Sequence, residues 1–325
     1  MKKLLFILLG FSALWATSQN IEYKVLFEGI GDNREFFNDY GYPQTILGTR
    51  TAFEGGVSSD NQKIRLGFSY LYEFGSEPDA QKIKPTIYYQ FNNQKIDFLF
   101  GSFSRRNKID FPLAILTDTL LYYRPNIEGM YGKYRWKWGW QSGFIDWLSR
   151  QTDVNREMFT TGLSGEMYHG NLFFENYLLI THVATPFVRI QGEHIEDYLG
   201  FSFRAGVRTK ENSLFQGYLK AGVLSSKYRE RSVTDGFLSA NSFFAEARGQ
   251  WKSLAIKTVL HSGEGHRFAF GDKFYRAENY SRTDLIWFFL NKDQIKGHFN
   301  WSLHVIDWQE LNHQQQLSII YVFGK

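Results

Sequence analysis

The chain alternates apolar and polar side chains in short runs almost to its last residue, and residues 63–75, KIRLGFSYLYEFG, show the pattern most plainly. Ile64, Leu66, Phe68, Tyr70, Tyr72 and Phe74 fall on one side of an extended strand, with Lys63, Arg65, Gly67, Ser69, Leu71 and Glu73 on the other. Successive Cβ atoms of a strand point to opposite faces, so this period of two makes one apolar and one wetter face. A fold built from such strands must bury the apolar faces against each other or turn them to lipid.

The first 20 residues, MKKLLFILLGFSALWATSQN, run from Lys2 and Lys3 through an apolar stretch to the small residues Ala16 and Ser18. That order predicts a cleavable secretory signal over residues 1–18 and an exported single domain over 19–325. No later segment approaches the roughly 20 apolar residues of a spanning helix, so a membrane-spanning form of this chain has to be a barrel. Cysteine is absent, which removes disulfides and a lipid-modified cysteine from consideration. Loss of Lys2 and Lys3 with the leader lowers the formal charge from +4 to +2, which argues against a nucleic-acid binder.

Turn signals recur at 59–61, 92–93, 135–136, 169–170, 210–212, 252–253 and 291–293, each between two strand-like runs. Longer connections lie between them at 31–44, 76–85, 105–124, 149–156, 184–196, 226–240 and 263–276, with a shorter one at 307–313. Short and long connections alternate without a break, as in an up-and-down barrel with tight turns on one side of an outer membrane and loops on the other. The expectation is therefore an all-β, antiparallel, transmembrane barrel of about sixteen strands, with fourteen as the nearest alternative. An even count places both termini on the periplasmic side. Residues 171–183 break strict alternation, which suggests a bulge.

A secreted β-sandwich also alternates. The membrane reading draws on the leader, the strand number, the short-long rhythm and aromatic residues near strand ends, namely Trp138, Trp140, Trp251, Trp287, Tyr321 and Phe323. The clearest strands carry no Lys or Arg on the apolar side, where one at the bilayer midplane would cost about 2–4 kcal/mol.

In architecture the mature chain resembles sixteen-stranded bacterial porins. Its last run, LSIIYVFGK, resembles the C-terminal strand by which outer-membrane barrels are recognised, although Gly324 and Lys325 follow the final aromatic. DNREFF at 32–37, PQTILGTR at 43–50, LYEFGS at 71–76 and RPNIEG at 124–129 resemble a porin-like outer-membrane barrel family of Bacteroidota without a characterised function. The resemblance implies a location and no chemistry.

Sixteen strands enclose an aqueous lumen unless something fills it, and no globular segment precedes the first strand. The loop at 105–124 is the candidate constriction, resembling in position the inward-folded loop of general porins. Arg105, Arg106 and Lys108 near Asp110 and Asp118 would set opposed charges across a narrowing, with the apolar stretch 111–116 packed on the inner wall. A solvated surface loop is the competing interpretation. The facing pattern sends Lys63, Arg65, Glu73, Arg204, Arg208, Lys220, Glu246, Arg248, Lys296 and His298 into the lumen. Over the whole barrel, inward bases outnumber inward acids, which favours anions weakly.

Neither a metal site nor a cofactor is expected. His298 and His304 are about 20 Å apart along one strand, and HSGEGH at 261–266 offers two histidines and Glu264 without a full ligand set. No nucleophile elbow, triad or phosphate-binding glycine loop is legible, so a non-enzymatic barrel is expected. Its expected partners are outer-membrane lipid and lipopolysaccharide, small hydrophilic solutes and neighbouring membrane proteins. The expected function is passive diffusion with weak anion preference. A closed accessory barrel within a larger assembly is the alternative.

Overall fold

The computed structural model describes residues 20–77, 83–210 and 213–324. The expected leader lies outside the described residues, as do parts of the 76–85 and 210–212 connections. Sixteen strands follow in chain order: β1 (Asn20–Glu35), β2 (Gln44–Ser59), β3 (Gln62–Glu73), β4 (Ile83–Asn92), β5 (Ile96–Ser104), β6 (Asn126–Trp136), β7 (Gly139–Ser149) and β8 (Met158–His169). The second half comprises β9 (Leu172–Val183), β10 (Glu196–Arg208), β11 (Phe215–Glu230), β12 (Leu238–Trp251), β13 (Leu254–Gly263), β14 (Asn279–Asn291), β15 (Ile295–Ile306) and β16 (Glu310–Gly324).

Every strand pairs antiparallel with the next, and β16 returns to β1 with Val25 opposite Phe323 and Glu35 opposite His313. Closure leaves no strand edge unpaired, which is what a low-dielectric surrounding demands of a sheet. Three of the tight turns contain a residue at positive φ, Asp60 at 51°, Gly170 at 58° and Lys252 at 52°. All of them lie at the end opposite the longer loops.

The alternation of β3 is realised as expected. Ile64, Leu66, Phe68 and Tyr72 face outward and are exposed, whereas Ser69 is buried inside and Lys63 and Arg65 reach Glu22 on the inner wall. Trp138, Trp251 and Trp287 are likewise exposed on the outside near the tight-turn end. Trp140 is different: it shares the inner face with Phe144 and Asp146, and the Lys133 ammonium lies 3.6 Å from its ring centroid. A shift of one residue reverses the face, and the turn between Trp136 and Gly139 interrupts the strand period, so the pattern near 135–140 was too short to fix where Trp140 points.

The bulge expected in 171–183 is absent, since β9 keeps a continuous register with both β8 and β10. Register shifts occur instead at Trp147/Ser149 and at Trp287/Leu290. Near the end of β5, Gly101 adopts φ 125°, and a Cβ there would stand 2.2 Å from the Ile87 carbonyl oxygen. Only glycine allows that approach just before the chain leaves the wall for the lumen.

Candidate functional site: an occluded lumen

The 105–125 connection turns inward and crosses the barrel. At its base the Arg105 N–H donates to the Pro125 carbonyl at 2.7 Å, so the loop leaves and rejoins the wall at one point. The Arg105 guanidinium is 1 % exposed; it pairs with Asp146 of β7 and donates to the carbonyls of Arg124 and Asn126 at 3.1 and 3.2 Å. Arg106 pairs with Glu28 of β1, and Lys108 meets Asp97 of β5 at 2.5 Å. All three bases are thus paired with wall carboxylates, while Arg106 and Asp118 still line one cavity together. The physical reason is position: the inner wall brings carboxylates from distant strands to the loop, and a buried guanidinium needs such a partner.

Beyond those anchors the loop is apolar, and Phe111, Ala114, Ile115, Leu116 and Leu120 are buried. Phe111 packs on Phe144 and Tyr177, with ring centroids 6.0 and 5.5 Å away. A short helix, Thr119–Tyr123, carries the chain back, with the Tyr122 carbonyl accepting from Arg50 and the Tyr122 hydroxyl donating to Glu73 at 3.1 Å.

A second connection, 264–278, also enters the lumen, a placement that the sequence pattern at 263–276 does not announce. It docks on the first: Leu116 bridges Phe270, the Thr117 N–H donates to the Phe270 carbonyl at 2.7 Å, and the Asp272 N–H donates to the Leu113 carbonyl at 2.9 Å. His266 is held between Ser226 and Ser242, 2.9 and 2.8 Å from its two ring nitrogens. Phe274 packs against Phe36 and His304 at 4.8 and 4.9 Å between centroids. Together the loops and inward residues such as Leu99, Phe103, Ile127, Leu224, Phe244 and Ile306 form one buried apolar cluster inside the barrel. The lumen is therefore not the open tube expected of sixteen bare strands. Apolar inner-wall positions, scattered over many strands, are the signal that could have revealed a plug.

Two adjoining polar spaces lie beside the loops. A cavity of about 480 Å³ lies beneath the first loop, roofed by Asp110, Phe111, Pro112 and Leu113 and walled by charged residues of β9 to β14. Another of about 210 Å³ separates residues 118–122 from the β1, β2 and β16 wall, where it meets Glu28, Asp32, Arg34 and Arg106. Both are lined by Asp118, His298 and Gln316, so they adjoin. Arg34 donates to Thr119 Oγ1 at 3.1 Å across the smaller one.

The remaining inward residues named from sequence form networks. Arg204 pairs with Glu175 and Glu246 at 2.9 and 3.2 Å, Lys220 with the same two at 3.2 and 3.6 Å, and Arg208 with Glu166 at 3.0 Å. Arg248 donates to Gln250 at 2.8 Å, while Lys296 lies toward the tight-turn end on the inner face. His261 and His266 do approach, with ring centroids 5.2 Å apart, but His266 uses both nitrogens on serines and Glu264 accepts from the Asn241 N–H. Among the described residues no group of three or more potential metal ligands forms.

The outer wall holds an arrangement that sequence reasoning missed. Near the loop end, directly opposed outward residues of five strands make a row: Trp147, Phe159, His182, Asp197 and Arg229. Trp147 stacks on Phe159, and His182 Nδ1 lies 2.8 Å from Asp197. Arg229 and Arg231 contact the same carboxylate at 2.7 and 2.9 Å. The four polar residues come from three strands and a loop, so no local motif announces them.

The fold is that of outer-membrane porins. It is similar to the anion-selective porin from Comamonas acidovorans, with TM-score 0.56 and 9 % identity over 94 % of this chain and 100 % of that one. A loop L8 deletion mutant of OmpT, an outer membrane protein of Vibrio cholerae, gives 0.57 and 8 % over 94 % and 100 %. OccAB3 of Acinetobacter baumannii gives 0.54 and 10 % over 94 % and 100 %. At such identities these likenesses describe the fold alone. No curated protein sequence matches. A family model described as lipid A 3'-O-deacylase-type matches residues 16–323, nearly the whole chain, and the protein belongs to that lipid A 3'-O-deacylase-type family.

Proposed function

We propose that the protein is an outer-membrane channel of restricted bore through which small hydrophilic solutes diffuse, with a weak preference for anions. The observation that carries this reading is the adjoining pair of polar cavities beside the inward loop, sharing Asp118, His298 and Gln316. They leave polar space beside an otherwise apolar plug, bordered by charges of both signs, which supports a narrow aqueous passage. The outward apolar face and the exposed Trp residues at the tight-turn end support residence in a bilayer. Anion preference is supported by inward bases such as Arg248 and Lys296, which among the described residues have no carboxylate partner within 4.0 Å. Purified protein in a planar bilayer should give small, stepwise currents with a reversal potential displaced toward the anion. A folded barrel that stays silent would refute the channel.

A second reading follows from the family name and from His182. Hydrolysis of an acyl ester in outer-leaflet lipid A would need a general base on the outer wall, and Asp197 holds His182 there through Nδ1. Nε2 could then take a proton from water as the oxygen attacks the ester carbonyl; the acyl–oxygen bond breaks and leaves a carboxylic acid and an alcohol. Incubation with lipid A should release one fatty acid, detected by mass spectrometry, and His182→Ala should stop it. Unchanged lipid A would exclude this activity.

A further inference from the structure

Arg248 of β12 and Lys257 of β13 stand directly opposite each other on the inner wall. Like charges in that relation repel and normally destabilise a sheet. Lys257 finds relief at Glu246, 3.6 Å away. Among the described residues Arg248 finds none: its guanidinium donates to the neutral Gln250, and its Nε is buried without a hydrogen-bond partner.

The neighbouring carboxylates are already committed. Glu246 receives Arg204 and Lys220 as well as Lys257, and the Tyr218 hydroxyl donates to it. Asp284, opposite Lys257 on its other side, is paired with Arg282 at 2.7 Å and accepts from Ser302. Three bases, Arg204, Lys220 and Lys257, therefore share Glu175 and Glu246, and among the described residues Arg248 reaches neither. Asp110 overhangs the same cavity from the loop without an ion pair among the described residues.

We propose that this wall, centred on Arg248 and Lys257, is a binding site for a small monocarboxylate with an apolar body. The ligand carboxylate would lie between the two bases, accept from the Arg248 guanidinium, whose Nε has no partner among the described residues, and remove their mutual repulsion. Its body would rest under Phe111, Pro112 and Leu113, which roof the cavity of about 480 Å³. A phosphate dianion suits the place less well, because Glu246 and Asp110 border it and would repel a second charge. The proposal names the solute class of the channel reading and rests on that reading for its physiological purpose, though not for the binding itself.

The test uses full-length barrel refolded in detergent, with benzoate as probe, benzamide as its neutral counterpart and inorganic phosphate as the other anion, read by calorimetry. Benzoate should bind, and benzamide and phosphate should bind at least tenfold more weakly. Arg248→Gln and Lys257→Met should each weaken benzoate about tenfold, the worth of one charge-assisted hydrogen bond. Asp110→Asn should tighten it, and Lys227→Met, on the outer face of β11, should leave it unchanged. Heat-modifiable migration in gels reports whether each variant is folded. Equal binding of benzoate and benzamide, preference for phosphate, or indifference to Arg248→Gln in a folded variant would overturn the site. Benzoate binding by a barrel that is silent in bilayers would sink the channel and keep the site, whereas conduction without benzoate binding would do the reverse.

Discussion

Replacing Arg105 separates a structural role from a selectivity role for the inward loop. Arg105→Ala removes the partner of Asp146 and the donors to the Arg124 and Asn126 carbonyls, leaving Asp146 with the Glu128 N–H at 2.9 Å. Side-chain exposures of 1 and 2 % place both charges out of water, and breaking a buried pair from one side costs about 3–5 kcal/mol. The β5–β6 and β6–β7 ladders do not pass through this side chain, so the cost falls chiefly on docking of the loop. The docked-to-undocked ratio should fall by about a hundred- to a few thousand-fold. Limited proteolysis between residues 106 and 124 should accelerate, and bilayer currents should become larger and noisier. Arg105 lines neither of the two adjoining cavities, so the reversal potential should stay where it was. The double variant Arg105→Met/Asp146→Leu should restore protection, since a buried pair can be exchanged for apolar residues without loss. A protease-resistant Arg105→Ala barrel, or one with a displaced reversal potential and an intact loop, would refute the reasoning.

Other consequences follow from the same packing. Phe111→Ala, which empties the contact with Phe144 and Tyr177, should cost about 3–5 kcal/mol of loop docking and raise both conductance and proteolysis. Phe203→Arg puts a charge on the outward face and should destabilise the barrel by about 2–4 kcal/mol, measured as a lower urea midpoint for refolding into lipid vesicles. Burial pushes the His266 imidazole down to about 3, with the neighbouring His261 adding to it. An undocked loop therefore binds more protons than a docked one between the ordinary imidazole value near 6.5 and about 3. Docking is at full strength above that window and weakens as pH falls through it. Proteolysis of residues 264–278 should rise between pH 7 and pH 5, and His266→Asn should flatten the dependence.

What a strand is, and which way its side chains point, depends on neighbours two residues away, so the sequence determined most of the barrel by itself. The face assignment of residues 63–75, the alternation of tight turns with longer loops and the sixteen strands all follow from that local period. The apolar stretch 111–116 also marked the first loop as able to pack inward. Trp140 marks the limit, because at a turn the period is too short to fix a face.

What fills the barrel depends on residues brought together by closure, and only the tertiary structure decided it. Leu116 and Phe270 are 154 positions apart and meet in the lumen. Phe268, Phe270, Phe274 and Tyr275 look like scattered aromatics in a glycine-bearing loop until the inner wall supplies Phe244, Tyr280 and His304 as their neighbours. The partners of Arg105 and Arg106, the opposition of Arg248 to Lys257 and the outward His182–Asp197 pair arise in the same way, from register across strands. A charge in a linear sequence carries no record of which distant strand will face it. In a closed sheet that partner decides whether the charge anchors a plug, lines a passage or stands ready for a ligand.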